Sequence, residues 1–472
     1  MIQKTGIPTM VITRQGFSQV VRNAFIGSGF PPEAAAMSEF TLDLFLPGSD
    51  LAPIEENIDK IIDGLTQEEP ERREKDETSP LKMTIEGKDY QDVANKVNNL
   101  FLKQRWADGL PIVPPAQDRV NWVLTGTDLP RDMLVGKILP RGGIATVETL
   151  AVSLAMAGGR PEYLPVLIAA VDALLDPRAI HQGMQATTNS NYPVIIVNGS
   201  ITKEIRLNSG YGCLGPDPAH PAGASIGRAL RLLQMNVGGA IPGVGTMAIY
   251  GGPARYTNIV FAESEDGLPP DWEPLSVERG FPRGSNVVTL HAVNGTINVC
   301  GTEASTEETA LATLHLYAAF MRIPNLNYFY LPRWKIGSPG VLLMARSTAH
   351  GLAQAGWSKE KIRNFLWENS KLPWSLVKAV WGTAEGGARV SEAIRLTQGL
   401  LAENEPWPIS SSPETIMIAV AGGEQAGHGY WMPNYLHCPV SKGIRLPANW
   451  EELLKDAEAE LGPPPSVSFP PN

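Results

Sequence analysis

Two polar loops carry most of the side chains suited to holding a small polar molecule. Gln185-Ala-Thr187-Thr188-Asn189-Ser190-Asn191 is dense in neutral hydrogen-bonding groups, and Asn198 and Ser200 follow one apolar stretch later. Such groups orient polar substrate atoms without charge, although in loops they equally serve as turn formers and caps. Asn208-Ser209-Gly210-Tyr211-Gly212-Cys213 is the second loop. Gln185, Thr187, Thr188, Asn198, Asn208 and Ser209 are therefore the candidate substrate contacts. Cys213 becomes a nucleophile if a helix N-terminus stabilises its thiolate, and a helix near 224–235, with Ser225 as N-cap and Arg228 in its first turn, offers such an anion site. The commoner fate of a lone cysteine is a small buried side chain. Gly210 to Gly215 matches G-x-G-x-x-G, but Pro216, Pro218 and Pro221 follow where a dinucleotide fingerprint needs a helix to open, so a tight glycine loop is expected.

Charged candidates come from PLSVERG. Glu278 can act as a general base and Arg279 can clamp a substrate carboxylate, because they stand in an otherwise apolar, glycine-containing context. Glu148, Glu263 and Glu265 read as surface charge or structural ion pairs. The histidines are 181, 220, 291, 315, 350, 428 and 437, and no two have the spacing that places both imidazoles on one metal. His428, in AGGEQAGHGYW, stands out as a candidate proton carrier. Its glycine-rich loop follows an apolar strand, and ligands bind at the carboxyl ends of strands in α/β sheets. His315 lies beside the helical stripe of Leu311, Leu314, Ala318 and Met321 and reads as a core-edge residue.

The elements that must position these groups follow from apolar periodicity. Residues 6–13 and 40–46 read as strands, with helices near 16–27 and from Pro53 to about 65, which makes a small β-α-β-α unit. TQEEPERREKDETSP, within 66–82, cannot bury a face and reads as a charged linker. The main domain, 83–460, begins with a helix near 90–107. Its clearest helix is 161–175, ended by Asp176-Pro177, and a strand follows at 193–199. Asn294-Gly295 between two apolar runs predicts a hairpin over 287–300. A helix over 306–322 opens with Ser305 and Glu308 in capping-box spacing, and Ser358 starts another, with Trp357 and Ile362 as a staple. Residues 415–421 read as a buried strand, and the Pro-rich tail, 461–472, as extended. No internal repeat is evident. Alternating strands and helices with one antiparallel pair predict an α/β or α+β fold with a mixed sheet.

A chain of 472 residues is too long for one ordinary core, and 43% hydrophobic with 19% charged residues is a globular composition. The net charge of −10 argues against nucleic acid or an anionic membrane as partner. Cys213, Cys300 and Cys438 are far apart and odd in number, which suggests free thiols. With no apolar run of membrane-spanning length and no secretory pattern, a cytoplasmic location is expected.

Two segments resemble known families. KTGIPTMVITRQGF, residues 4–17, and the unit up to Leu65 resemble the C-terminal half of the small α/β domain of UGSC-motif selenoproteins and their cysteine homologues, which is distantly similar to the B-type selenoprotein subunits of glycine and proline reductases. In that family a cysteine or selenocysteine loop precedes this strand, whereas here no cysteine occurs before Cys213. The second resemblance rests on RWADGLPIVPP, ATVETLAVSLAMAGGRPEYLPVLIAAVDALLDP, GMQATTNSNYPVIIVNG, ASIGRALRLLQMNVGG, PLSVERGF and AGWSKEKIRNFLWENSKLP. It is to a bacterial family often linked to the UGSC-type domain, covers most of 100–450, and implies no particular reaction.

The resulting expectation is an enzyme for a small, acid-like polar molecule, working by lyase, hydrolytic or reductive cleavage, with its cofactor unspecified and no metal implied. The alternative is a non-catalytic binding or scaffold subunit of a redox complex. The thin N-terminal unit, residues 1–65, needs cover from the second domain, an identical subunit or a separate redox-motif chain, and an oligomer with a separate redox-motif subunit is the favoured expectation.

Overall fold

In the computed structural model, the described residues are 7–27, 30–41, 44, 49–66, 82–252, 254, 257–322, 338–381, 406–435 and 438–463. Most of the expected charged linker and Pro-rich tail, part of the second N-terminal strand, and His437 lie outside them. The first unit pairs β1 (Val11–Arg14) in parallel with β2 (Met37–Phe40), joined by α1 (Ser18–Gly27) and followed by α2 (Ile58–Thr66). β1 is shorter than apolarity suggested and only partly covered, and β2 lies just before the stretch expected at 40–46, meeting it at Phe40. Next come α3 (Tyr90–Gln104), capped by Asp89, then α4 (Gln117–Leu124) and a ribbon of β3 (Leu134–Ile138) with β4 (Gly143–Thr146).

Two four-stranded mixed sheets form the centre. After α5 (Val147–Met156), α6 (Leu164–Leu175) and the short α7 (His181–Ala186), the chain enters β5 (Tyr192–Asn198). It continues through α8 (Ala222–Asn236), β6 (Ile259–Ala262), β7 (Val287–Val293) and β8 (Ile297–Cys300). The second half runs α9 (Glu307–Met321), β9 (Gly340–Met344), α10 (Arg346–Gln354), α11 (Lys359–Asn369), β10 (Met417–Val420), β11 (His428–Pro433) and β12 (Val440–Gly443), and α12 (Trp450–Leu461) closes it. The sheet orders are β12-β7-β5-β6 and β10-β9-β11-β8.

The two halves repeat. In each, a helix leads into a central strand whose next sheet partner is parallel, followed by an antiparallel strand on the other side. The register coincides: Val194 faces Ile259 and His291 in the first sheet, as Val341 faces Met417 and Met432 in the second. The sequence shows no such repeat, because strand pairing depends on apolarity and alternation rather than on particular residues.

The fourth strands are exchanged between the halves. β7 and β8 do not form the hairpin that Asn294-Gly295 suggested: β7 pairs with β12, and β8 pairs with β11. The turn residues carry the chain from one sheet to the other. Asn294 donates its N–H to Pro433 O (2.9 Å) and Tyr435 N–H reaches Ala292 O (3.0 Å), so 287–300 runs antiparallel to 428–435 and 440–443 across both sheets.

The layers follow from alternation along each strand. Ile195, Val197 and Leu290 face α5, α6 and α8, while Leu342, Ile418 and Trp431 face α9, α10 and α11. Val194, Ile196 and Phe261 meet Val341, Leu343 and Met417 between the sheets. The result is a four-layer α-β-β-α arrangement within a mixed α/β fold. Two caps differ from expectation. Thr306 with Thr309, not Ser305 with Glu308, forms the capping box of α9, and α8 begins at Ala222, which places Ser225 inside its first turn. No helix among the described residues is long and apolar enough to cross a membrane.

Candidate functional site

A cavity of about 510 Å³ opens on the inter-sheet face of the second sheet, where the first sheet does not cover it. β8 and β11 supply Asn298, His428 and Tyr430, and the segment after β10 supplies Gly422, Gly423 and Gln425. The loop 212–216 closes it from the first half. Alternation puts Cys300 on the same face as Asn298, directly across from His428 in the ladder.

The exposed Cys300 thiol lies 3.3 Å from His428 Nδ1 and 3.4 Å from Nε2. Near-equal distances to both nitrogens place the sulfur over the ring rather than in line with either lone pair. Turning the imidazole about its Cβ–Cγ bond would bring one nitrogen into line to take the thiol proton, the arrangement that activates a cysteine nucleophile. His428 is anchored by its backbone, whose carbonyl accepts from Ala345 N–H and the Thr348 hydroxyl, both 3.2 Å. Gly427 precedes it at φ +76°, and a Cβ there would come within 2.5 Å of Gly301 O, so the turn into β11 requires glycine.

The 208–215 segment is a tight loop rather than a dinucleotide fingerprint. Asn208 holds it, donating from Nδ2 to Tyr211 O (2.9 Å) and accepting Gly210 N–H at Oδ1 (2.8 Å). Ser209 O accepts Gly422 N–H (2.9 Å), tying this loop to the glycine turn after β10. The Tyr211 ring lies on Gly423, where a Cβ would come within 2.2 Å of it. Asn208 and Ser209 thus shape the cavity wall. Cys213 lines the same cavity but needs correction as a nucleophile: it packs in the inter-sheet core, and burial pushes its thiol up to about 12. The expected helix N-terminus does not serve it either, since Arg228 is engaged by Asp108 through two 2.9 Å contacts.

The remaining candidates do not join this cavity. Asn198 Nδ2 donates to Glu263 (2.7 Å) and Glu265 (2.8 Å), so it organises carboxylates at the end of β5. The Thr187 hydroxyl bonds Tyr435 OH, Thr188 O accepts Ile249 N–H, and Gln185 is buried with its Oε1 unpaired among the described residues. Glu278 and Arg279 border a second cavity, so they cannot serve His428 directly. Glu278 is not a free base, being bound by Arg363 at 2.6 Å and Lys359 at 3.6 Å. Glu263 is not surface charge: it is fully buried at the contact between the sheets, and burial raises its pKa. Glu148 pairs with Arg131, and His315 packs edge-on against Phe365 at 4.9 Å.

Cys300 is the residue that sequence reasoning missed. Its only local signal is its place two residues after Asn298 in a short strand, and its partner is 128 positions away. Among the described residues, no three His, Cys, Asp or Glu side chains gather as a metal site. No family model, curated protein or solved structure matches the chain.

Proposed function

We propose that the chain is an enzyme that cleaves a small polar molecule in the cavity beside β8 and β11, with Cys300 as nucleophile and His428 as proton carrier. The observation that carries this reading is the exposed thiol in van der Waals contact with an imidazole that lines a cavity of about 510 Å³. The side chains of Asn298 and Gln425 line the cavity, make no hydrogen bond among the described residues and are available to orient the substrate. Hydrolysis is the cleavage this pair fits most directly: His428 takes the thiol proton, gives it to the leaving group and then activates water. Burial raises the Cys213 pKa and closes that thiol off, whereas the Cys300 thiol is exposed beside His428. Iodoacetamide labelling read by peptide mass spectrometry tests this. Cys300 is expected to react first, and His428→Ala to slow it about tenfold, because thiolate supply controls the rate. An unchanged rate in the variant overturns the reading.

A second reading concerns the first unit, whose resemblance to UGSC-type domains supports a subunit contact. Its sheet has two strands, and Ile12, Ile58 and Ile62 are 41%, 46% and 49% exposed. Apolar groups beside an unpaired strand edge favour association. Residues 1–65 are expected in an intersubunit interface of more than ~1,000 Å², with an identical chain or a separate redox chain. Light scattering, alone and after co-expression with candidate partners, measures this. A stable monomer whose first 65 residues resist proteolysis contradicts it.

A further inference from the structure

A second cavity, of about 690 Å³, lies at a partly corresponding position in the other half, although β9 and β11 also line the first and β5 and β7 do not line the second. The first is walled by the β5–β6 connection, the segment after β10, and β8; the second by the β9–β10 connection, the segment after β6, and the entry to β12. Its chemistry is cationic where the first carries thiol and imidazole. We propose that this second cavity binds a small oxyanion, a carboxylate or phosphate group, on Arg279. The proposal is independent of the thiol site.

The argument is one of charge pairing. Three arginines reach the cavity: Arg178, Arg279 and Arg363. Arg178 is held by both oxygens of Asp176, at 2.9 and 2.8 Å. Arg363 binds Glu278, which also faces Lys359. Arg279 alone has no carboxylate partner among the described residues. Its Nε–H goes to Ser441 Oγ (3.2 Å) and one Nη2–H to Pro439 O (2.8 Å), which orient the fork but leave donors unused and the charge unmatched. Guanidinium does not release its proton in proteins, and a charge shielded from water is normally paired. Burial and the neighbouring Arg178 disfavour the charged form of Arg279, and the Cys438 thiol beside it opposes them only in part, leaving a cost that a bound anion offsets. Glu414 also lines the cavity, as a solvent-facing carboxylate at its rim, and Glu278 is neutralised by its two cations. Neither meets Arg279. The arginine fork matches the geometry of planar carboxylates and of phosphate.

The test uses the intact protein and three probes at constant ionic strength: inorganic phosphate, succinate and chloride. Phosphate or succinate is expected to raise Tm saturably at millimolar concentration while chloride does not, and the stronger of the two identifies the anion class. Arg279→Gln is expected to abolish the shift, whereas Arg283→Gln, at an exposed pair with Glu273, keeps it. Should Arg279→Gln fail to fold, phenylglyoxal modification of the wild type supplies the answer. The Arg279 peptide is expected to be protected several-fold by the stabilising anion. No saturable shift, or no protection of that peptide, overturns the proposal.

Discussion

Replacing Glu263 with alanine is expected to cost about 3–5 kcal/mol, the scale for removing one member of a buried charged network. Glu263 follows β6, yet its carboxylate reaches both sheets. Oε2 accepts from Asn198 Nδ2 and Leu275 N–H, both 2.7 Å, and Oε1 accepts the longer contact from Val420 N–H (3.4 Å) in β10. The buried Lys359 ammonium adds attraction from α11, although its own hydrogen bonds go to Glu273 O and Ile418 O. Truncation strands the Leu275 N–H without water and removes a negative charge from beside a buried cation. Glu263→Gln is also expected to destabilise, by about 1–3 kcal/mol, because every group facing the carboxylate is a donor and the amide's NH₂ must oppose one of them. Urea unfolding of both variants measures this. A loss below about 1 kcal/mol in the alanine variant shows that the two sheets do not depend on this contact.

The second large effect is an acid sensitivity located at His181. Its imidazole is buried at the start of α7, with no hydrogen-bond partner on either nitrogen among the described residues, and burial lowers its pKa to about 4 from an ordinary 6.5. The folded state therefore keeps the ring neutral under conditions where the unfolded chain charges it. Stability is fully present above pH 6.5 and is lost as pH falls toward 4, because the unfolded state binds the extra proton. The complete loss is about 3 kcal/mol, on the order of 2 kcal/mol of it by pH 5. His181→Leu is expected to flatten this part of the pH profile whatever it does to stability at pH 7.5. Chemical denaturation at the two pH values compares the slopes, and equal slopes in wild type and variant would place the sensitivity elsewhere.

The contrast between these residues shows what a sequence can convey. Helices were legible because their signals are local: Asp176 ends α6, and the Ser358 hydroxyl accepts Lys361 N–H at the start of α11. Strand existence was legible from apolar runs, but strand partnership was not. Asn294-Gly295 carries the local chemistry of a hairpin, yet long-range pairing with Asn434 and its neighbours decided the path. The candidate site divides the same way. His428 stood out through its glycine setting, a local feature, whereas Cys300 gains meaning only from ladder register. Arg279 was recognisable as an unusual charge, but its separation from His428 depends on how the two halves are folded together.

The exchange of fourth strands bears on how the chain is made. A ribosome delivers β5, β6 and β7 well before β12, which completes the edge of their sheet. At roughly 5–20 residues per second, the separation of about 140 residues between β8 and β12 amounts to on the order of ten seconds. During that interval β7 presents an open edge of seven buried-type residues, and β8 waits for a partner not yet synthesised. The nascent first half is thus a sticky intermediate by construction. A strand from a second copy of the chain is the natural competitor for that edge, the route by which domain swapping pairs identical chains.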